Sequence, residues 1–124
     1  MYKLLMWEKN QLTLKNQANF SGIGLHSGIK VEVSLEPANS NSGIVFRRTD
    51  LEKDNEIVAN FKNVSSAKLC TKIQNSSGAS VSTIEHLMAA FYICGIDNII
   101  VNLNGPEVPI MDGSAKDFVK IIKD

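Results

Sequence analysis

The sequence predicts an α+β domain with a mostly antiparallel or mixed sheet and two helices on one face. Three observations carry this. Ile29, Val31, Val33 and Leu35 alternate with Lys30, Glu32 and Ser34, the period-two pattern of a half-buried strand. One long helical pattern runs over 82–94 and is closed by Gly95. A mostly apolar run, Ile99-Ile100-Val101-Asn102-Leu103, then suits an interior strand. At 124 residues, 44% hydrophobic and 21% charged, the chain is long enough to bury one core.

The remaining elements follow in order. Met1 to Trp7 is apolar but broken by Glu8-Lys9-Asn10, too short for a signal segment or a membrane span. We read 1–11 as an extension pairing at a sheet edge and 12–124 as the domain. Leu12, Leu14 and Phe20 among polar neighbours suggest a strand, and the three glycines within 22–28 mark a turn or bulge. The strand at 29–35, the turn cluster at 37–43 and Ile44-Val45-Phe46-Arg47-Arg48 read together as a hairpin, with Arg47-Arg48 as a solvated strand end. Short strands are expected at 57–61 and 67–74. A rigid loop over 105–113 precedes a second helix from Ser114, with Asp117 as its capping partner.

Thirteen basic residues cancel thirteen acidic ones, so no charge excess argues for nucleic acid or an anionic membrane. Cys70 and Cys94 make no disulfide framework, which fits a reduced, cytoplasmic compartment. The chemistry-bearing stretch is Ser82-Thr83-Ile84-Glu85-His86. Its spacing leaves two readings of Glu85: a capping box with Ser82 as N-cap, or one half of a catalytic pair with His86. On a helical wheel, Ile84, Leu87, Met88 and Phe91 form one apolar face, while His86, Ala89, Ala90 and Ile93 form another. A helix apolar on two faces needs cover on both. With only His26 and His86, and no HExxH spacing, the chain does not display a complete metal site. His26, between Gly24 and Gly28, is either exposed loop or a residue brought close to a ligand.

These stretches together resemble a known family. In order come Ser21-Gly22-Ile23-Gly24-Leu25-His26-Ser27-Gly28, Gly43-Ile44-Val45-Phe46-Arg47-Arg48-Thr49-Asp50 and Leu69-Cys70-Thr71. Ser82-Thr83-Ile84-Glu85-His86-Leu87-Met88-Ala89-Ala90, Gly95-Ile96-Asp97-Asn98 and the run from Gly105 to Ala115 follow. The series resembles the amino-terminal half of UDP-3-O-acyl-N-acetylglucosamine deacetylases, zinc hydrolases of lipid A biosynthesis. The resemblance implies half of a two-domain β-α-α-β sandwich. It implies His86 as a zinc ligand, Glu85 as the general base, Leu25 and His26 as cleft-lining, and Lys68 at the cleft rim. It also places the other zinc ligands in a second domain, so that a chain of these residues alone is expected to be inactive towards the UDP-sugar substrate. The other reading is a non-catalytic remnant or interaction module. In either case the second apolar helix face predicts a homodimer burying Ala89, Ala90 and Ile93.

Overall fold

A computed structural model describes residues 2–5, 10–60, 63–66 and 71–124. Ten strands and two helices are present among them: β1 (Tyr2–Leu5), β2 (Asn10–Thr13), β3 (Ala18–Ile23), β4 (Lys30–Pro37), β5 (Ile44–Arg48), β6 (Glu56–Val58), β7 (Val64–Ser66), β8 (Lys72–Gln74), β9 (Ser80–Ser82), α1 (Glu85–Cys94), β10 (Ile99–Leu103) and α2 (Lys116–Lys123). The main sheet has the order β3-β4-β10-β5-β6. β10 runs antiparallel to β4 and parallel to β5, so the sheet is mixed. A parallel neighbour needs a long crossover, and here the connection from β5 to β10 carries α1.

The alternation in β4 does what its period implies. Val31, Val33 and Leu35 are buried, while Lys30 and Glu32 face outward. Cross-strand register extends that face across the whole sheet, because Ala18, Leu35, Val101, Phe46 and Ile57 lie side by side on five strands. Leu87, Ala90, Phe91 and Cys94 of α1 join the same core, as do Phe118 and Ile122 of α2. The Phe118 ring packs tilted against Phe20, with centroids 5.3 Å apart. One sheet face is therefore covered by the two helices, an α+β domain as the sequence predicts. Each fully buried Val, Leu, Ile or Phe side chain among these contributes roughly 1.5–3 kcal/mol by leaving water.

Several local expectations are corrected. β4 and β5 are not a hairpin, since β10 lies between them. Nothing local to 37–43 records that insertion; it follows from β10 being apolar enough to sit in the middle. α1 starts at Glu85, and Ser82 belongs to β9. Ile84 is the N-cap without a side-chain cap, so no capping box forms. Gly95 does close α1, in the left-handed conformation at φ 72°. α2 begins after Ala115 rather than with a Ser114–Asp117 box. Ser114 Oγ instead donates to Asp112 and accepts the Lys116 amide. Arg48 is no solvated strand end: it pairs with Asp50 at 2.6 Å and donates to the Ser80 carbonyl, tying β5 to β9.

A second, three-stranded sheet, β7-β8-β9, delivers the chain to α1. The expected strand at 67–74 is realised as β8, and residues 67–70 lie outside the described residues. The strand expected at 57–61 is realised as β6, and Phe61 likewise lies outside them. β1 pairs with β2 in a ribbon of its own rather than on the edge of the main sheet.

At the base of β10 a buried polar cluster joins β2 to the sheet. The Asn98 amide nitrogen donates to Gln11 Oε1 at 2.7 Å, and its Oδ1 accepts the Gly43 amide at 2.9 Å. Thr13 Oγ1 donates to the Asn98 carbonyl and accepts the Ala38 amide. Removing one member strands its partners, and an unpaired buried group costs about 1–3 kcal/mol. Asn98→Ala is therefore expected to lower the unfolding free energy by ~2 kcal/mol, seen as a lower urea midpoint at unchanged slope.

Candidate active site

The first turn of α1 presents Glu85 and His86, both half-buried. How the chain enters that turn decides where they sit. Thr83 is in the left-handed region at φ 59°, an outlier for a β-branched residue that costs about 1–3 kcal/mol. Its amide donates to the Thr71 carbonyl at 2.9 Å. Glu85 Oε2 in turn accepts the Thr71 amide at 2.7 Å. Thr71 is thus gripped through both backbone groups, and one Glu85 oxygen is committed to holding the turn. Oε1 has no hydrogen-bond partner among the described residues. Placing a carboxylate in a helix's first turn also suits the positive end of its dipole.

The conformation of Thr83 has a visible support. Its hydroxyl donates to Glu107 Oε2 at 2.7 Å. Glu107 is only 1% exposed, and it accepts the backbone amides of His26 at 3.0 Å and Ser27 at 2.9 Å as well. Backbone pairing brings it there: the Ser82 amide donates to the Pro106 carbonyl, and the Val108 amide to the Ser82 carbonyl. Burial pushes the Glu107 carboxyl up, but the bonds from Thr83, Ser27 and His26 outweigh it and hold the group below its ordinary value of 4.5. Gly24 completes the cradle, because a Cβ there would run into Glu107 Oε1 and Ser27 Oγ.

The sequence-predicted residues now have places. Glu85 and His86 are adjacent on α1. The loop bearing Leu25 and His26 is tied to the approach to α1 through the shared Glu107 carboxylate. Leu25 is 59% exposed and the His26 side chain is also exposed. Lys68 lies outside the described residues. Glu107 was not singled out from the sequence, though a carboxylate in the otherwise uncharged stretch Gly105-Pro106-Glu107-Val108-Pro109 is a usable signal: a charge buried there must be paired.

The outward face of α1 also needs correction. Ala90 is fully buried in the domain's own core, while Tyr92 is 89% and Ile93 61% exposed. The uncovered stripe is therefore His86, Ala89 and Ile93 flanked by Tyr92. Among the described residues no group of three or more His, Cys, Asp or Glu side chains converges on one point. A catalytic zinc takes about three protein ligands, more than His86 with its neighbour Glu85 would supply. A concavity of about 480 Å³ lies elsewhere, lined by residues that include Asn19, Glu32, Ser34 and Asn102 and neither histidine nor cysteine. No helix among the described residues is long and apolar enough to cross a membrane.

The family model for UDP-3-O-acyl N-acetylglycosamine deacetylase matches residues 11–124. A UDP-3-O-acyl-N-acetylglucosamine deacetylase of Geotalea uraniireducens is 57% identical over 113 residues, covering 91% of this chain and 36% of the relative. One from Geobacter sp. (strain M21) is 56% identical over 112 residues, covering 90% of this chain and 36% of the relative. One from Blochmanniella pennsylvanica is 49% identical over 114 residues, covering 92% and 38%. The chain thus spans little more than a third of the length of the curated relatives it matches.

The Glu107 cradle has a pH signature. A carboxyl held below its ordinary value adds stability that is present above that value and is lost as pH falls through the folded one. Glu107→Gln removes this contribution. The variant is expected to be less stable than the parent at neutral pH, with the gap closing as the medium is acidified below the ordinary carboxylate range. Thermal melts across pH measure it, and a gap independent of pH would contradict the assignment.

Proposed function

Because the chain belongs to the UDP-3-O-acyl-N-acetylglucosamine deacetylase family, we propose that it is the amino-terminal half of a zinc-dependent amide hydrolase acting on that UDP-sugar in lipid A biosynthesis. The observation that carries this is the Glu85–His86 pair at the start of α1, on the side the sheet leaves uncovered. In this reading 12–124 is one domain of a two-domain sandwich whose second domain faces α1, and the reaction takes place in the cytoplasm.

His86 supplies one metal ligand, and the remaining ligands come from outside these residues. When bound, zinc lowers the pKa of a water and polarises a carbonyl. Glu85 takes a proton from the attacking water at Oε1, while Oε2 stays anchored on the Thr71 amide. It then returns that proton to the departing nitrogen as the amide C–N bond breaks, leaving an amine and a carboxylate. The exposed Leu25–His26 loop lines the approach for the substrate, and the family resemblance assigns Lys68 a substrate-binding role.

A second reading, an interaction module without chemistry, is favoured by the bare stripe of Ala89, Tyr92 and Ile93. Both readings put a protein surface against that stripe. In the absence of a second domain, another copy of the chain covers it, forming a homodimer through Ala89 and Ile93.

Complementation separates these readings, and sedimentation tests the homodimer. The 124-residue chain with added zinc is expected to show no turnover of the acylated UDP-sugar. Supplying the carboxy-terminal part of the Geotalea relative in trans is expected to restore it, and Glu85→Ala then to lower kcat by roughly 10²–10⁴-fold. Absence of rescue favours the module. Sedimentation of the chain alone is expected to show a dimer at micromolar concentration that Ile93→Glu dissociates; a monomer throughout would contradict the homodimer.

A further inference from the structure

Glu107 is buried and ionised, and no step of the reaction above uses it. It touches two segments that the chain separates widely. Both oxygens take the His26 amide, Oε1 takes the Ser27 amide, and Oε2 takes the Thr83 hydroxyl. Thr83 is a β-branched residue at φ 59°, two residues before Glu85. A left-handed threonine persists only where its surroundings over-determine it. Here the constraints are the Thr71 carbonyl on its amide and Glu107 on its hydroxyl. Its ψ and φ in turn fix the direction in which α1 departs, and therefore where Glu85 meets the Thr71 amide.

We propose that Glu107 is a positioning residue: through Thr83 it sets the departure of α1 that aims Glu85 and His86, and through the His26 and Ser27 amides it locks the Leu25–His26 loop to the same reference point. Among the described residues the carboxylate is the one group hydrogen-bonded to both sides, so displacing it moves both together. The structural part stands on the hydrogen bonds alone, while its consequence for turnover rests on the deacetylase reading.

Three substitutions test it in the full 124-residue chain by NMR, with the Thr71 amide exchange rate and the His86 ring resonances as readouts. Thr83→Val keeps shape and branching but removes the donor. Thr83→Ser keeps the donor. Gly24→Ala pushes on Glu107 from the loop side, since the added Cβ would meet Glu107 and Ser27 first. Thr83→Val and Gly24→Ala are expected to speed Thr71 exchange and shift the His86 ring signals, with Thr83→Ser near the parent in both.

Gly24→Ala provides the decisive arm should Thr83→Val fail to fold. If it moves the His26 and Ser27 amide signals yet leaves Thr71 and His86 at their parent values, the proposal is overturned. In the complemented enzyme, the same substitution is expected to cut kcat by roughly 10- to 100-fold, since small misplacements of reacting groups are that costly. A complemented parent without turnover would defeat the deacetylase reading and leave the NMR result to decide the positioning role.

Discussion

A single buried carboxylate, Glu107, gathers the strained entry to α1 and the glycine-rich loop onto one point. The arrangement is demanding, because an ionised group out of water is tolerated only when its lone pairs are filled. Three donor residues fill them, and two of these donate through the backbone, so little side-chain freedom is lost in making the bonds. The adjoining 106–108 backbone is itself fixed by pairing with Ser82. Rigidity therefore passes from sheet to loop, from loop to carboxylate, and from carboxylate to the first turn of the helix.

That first turn is unusual in its own right. It lacks a side-chain cap, and Glu85, which spacing alone could have assigned to capping, spends one oxygen on the Thr71 amide instead. The bond anchors Glu85 to Thr71, just before β8, while the other oxygen has no hydrogen-bond partner among the described residues. His86, the next residue, stands at the head of the stripe continued by Ala89 and Ile93. In the proposed reading, the Glu85–His86 pair and the uncovered stripe share one surface of one helix, as a site assembled between two bodies requires.

Elements whose evidence is periodic were legible in the sequence. The alternation in β4, the apolar run of β10 and the glycine closing α1 all report on burial or backbone sterics that act locally. Pairing order was not legible: the wedge of β10 between β4 and β5 depends on two segments some fifty residues apart in sequence. Ala90 was misplaced for a related reason, since a helical wheel does not say how wide the buried arc is, and here it takes in Ala90. In the site, Glu85 and His86 stood out as a pair. The role of Glu107 depends on a threonine in a left-handed conformation, which no propensity favours and only the surrounding contacts explain.

The central claim is that His86 forms part of a zinc centre completed by another domain. Zinc content measured on the protein complemented with that domain, parent against His86→Ala, tests it most directly. The account expects one zinc retained per complemented protein by the parent and little by the variant, with both complexes formed to the same extent. Equal zinc in the two would contradict it.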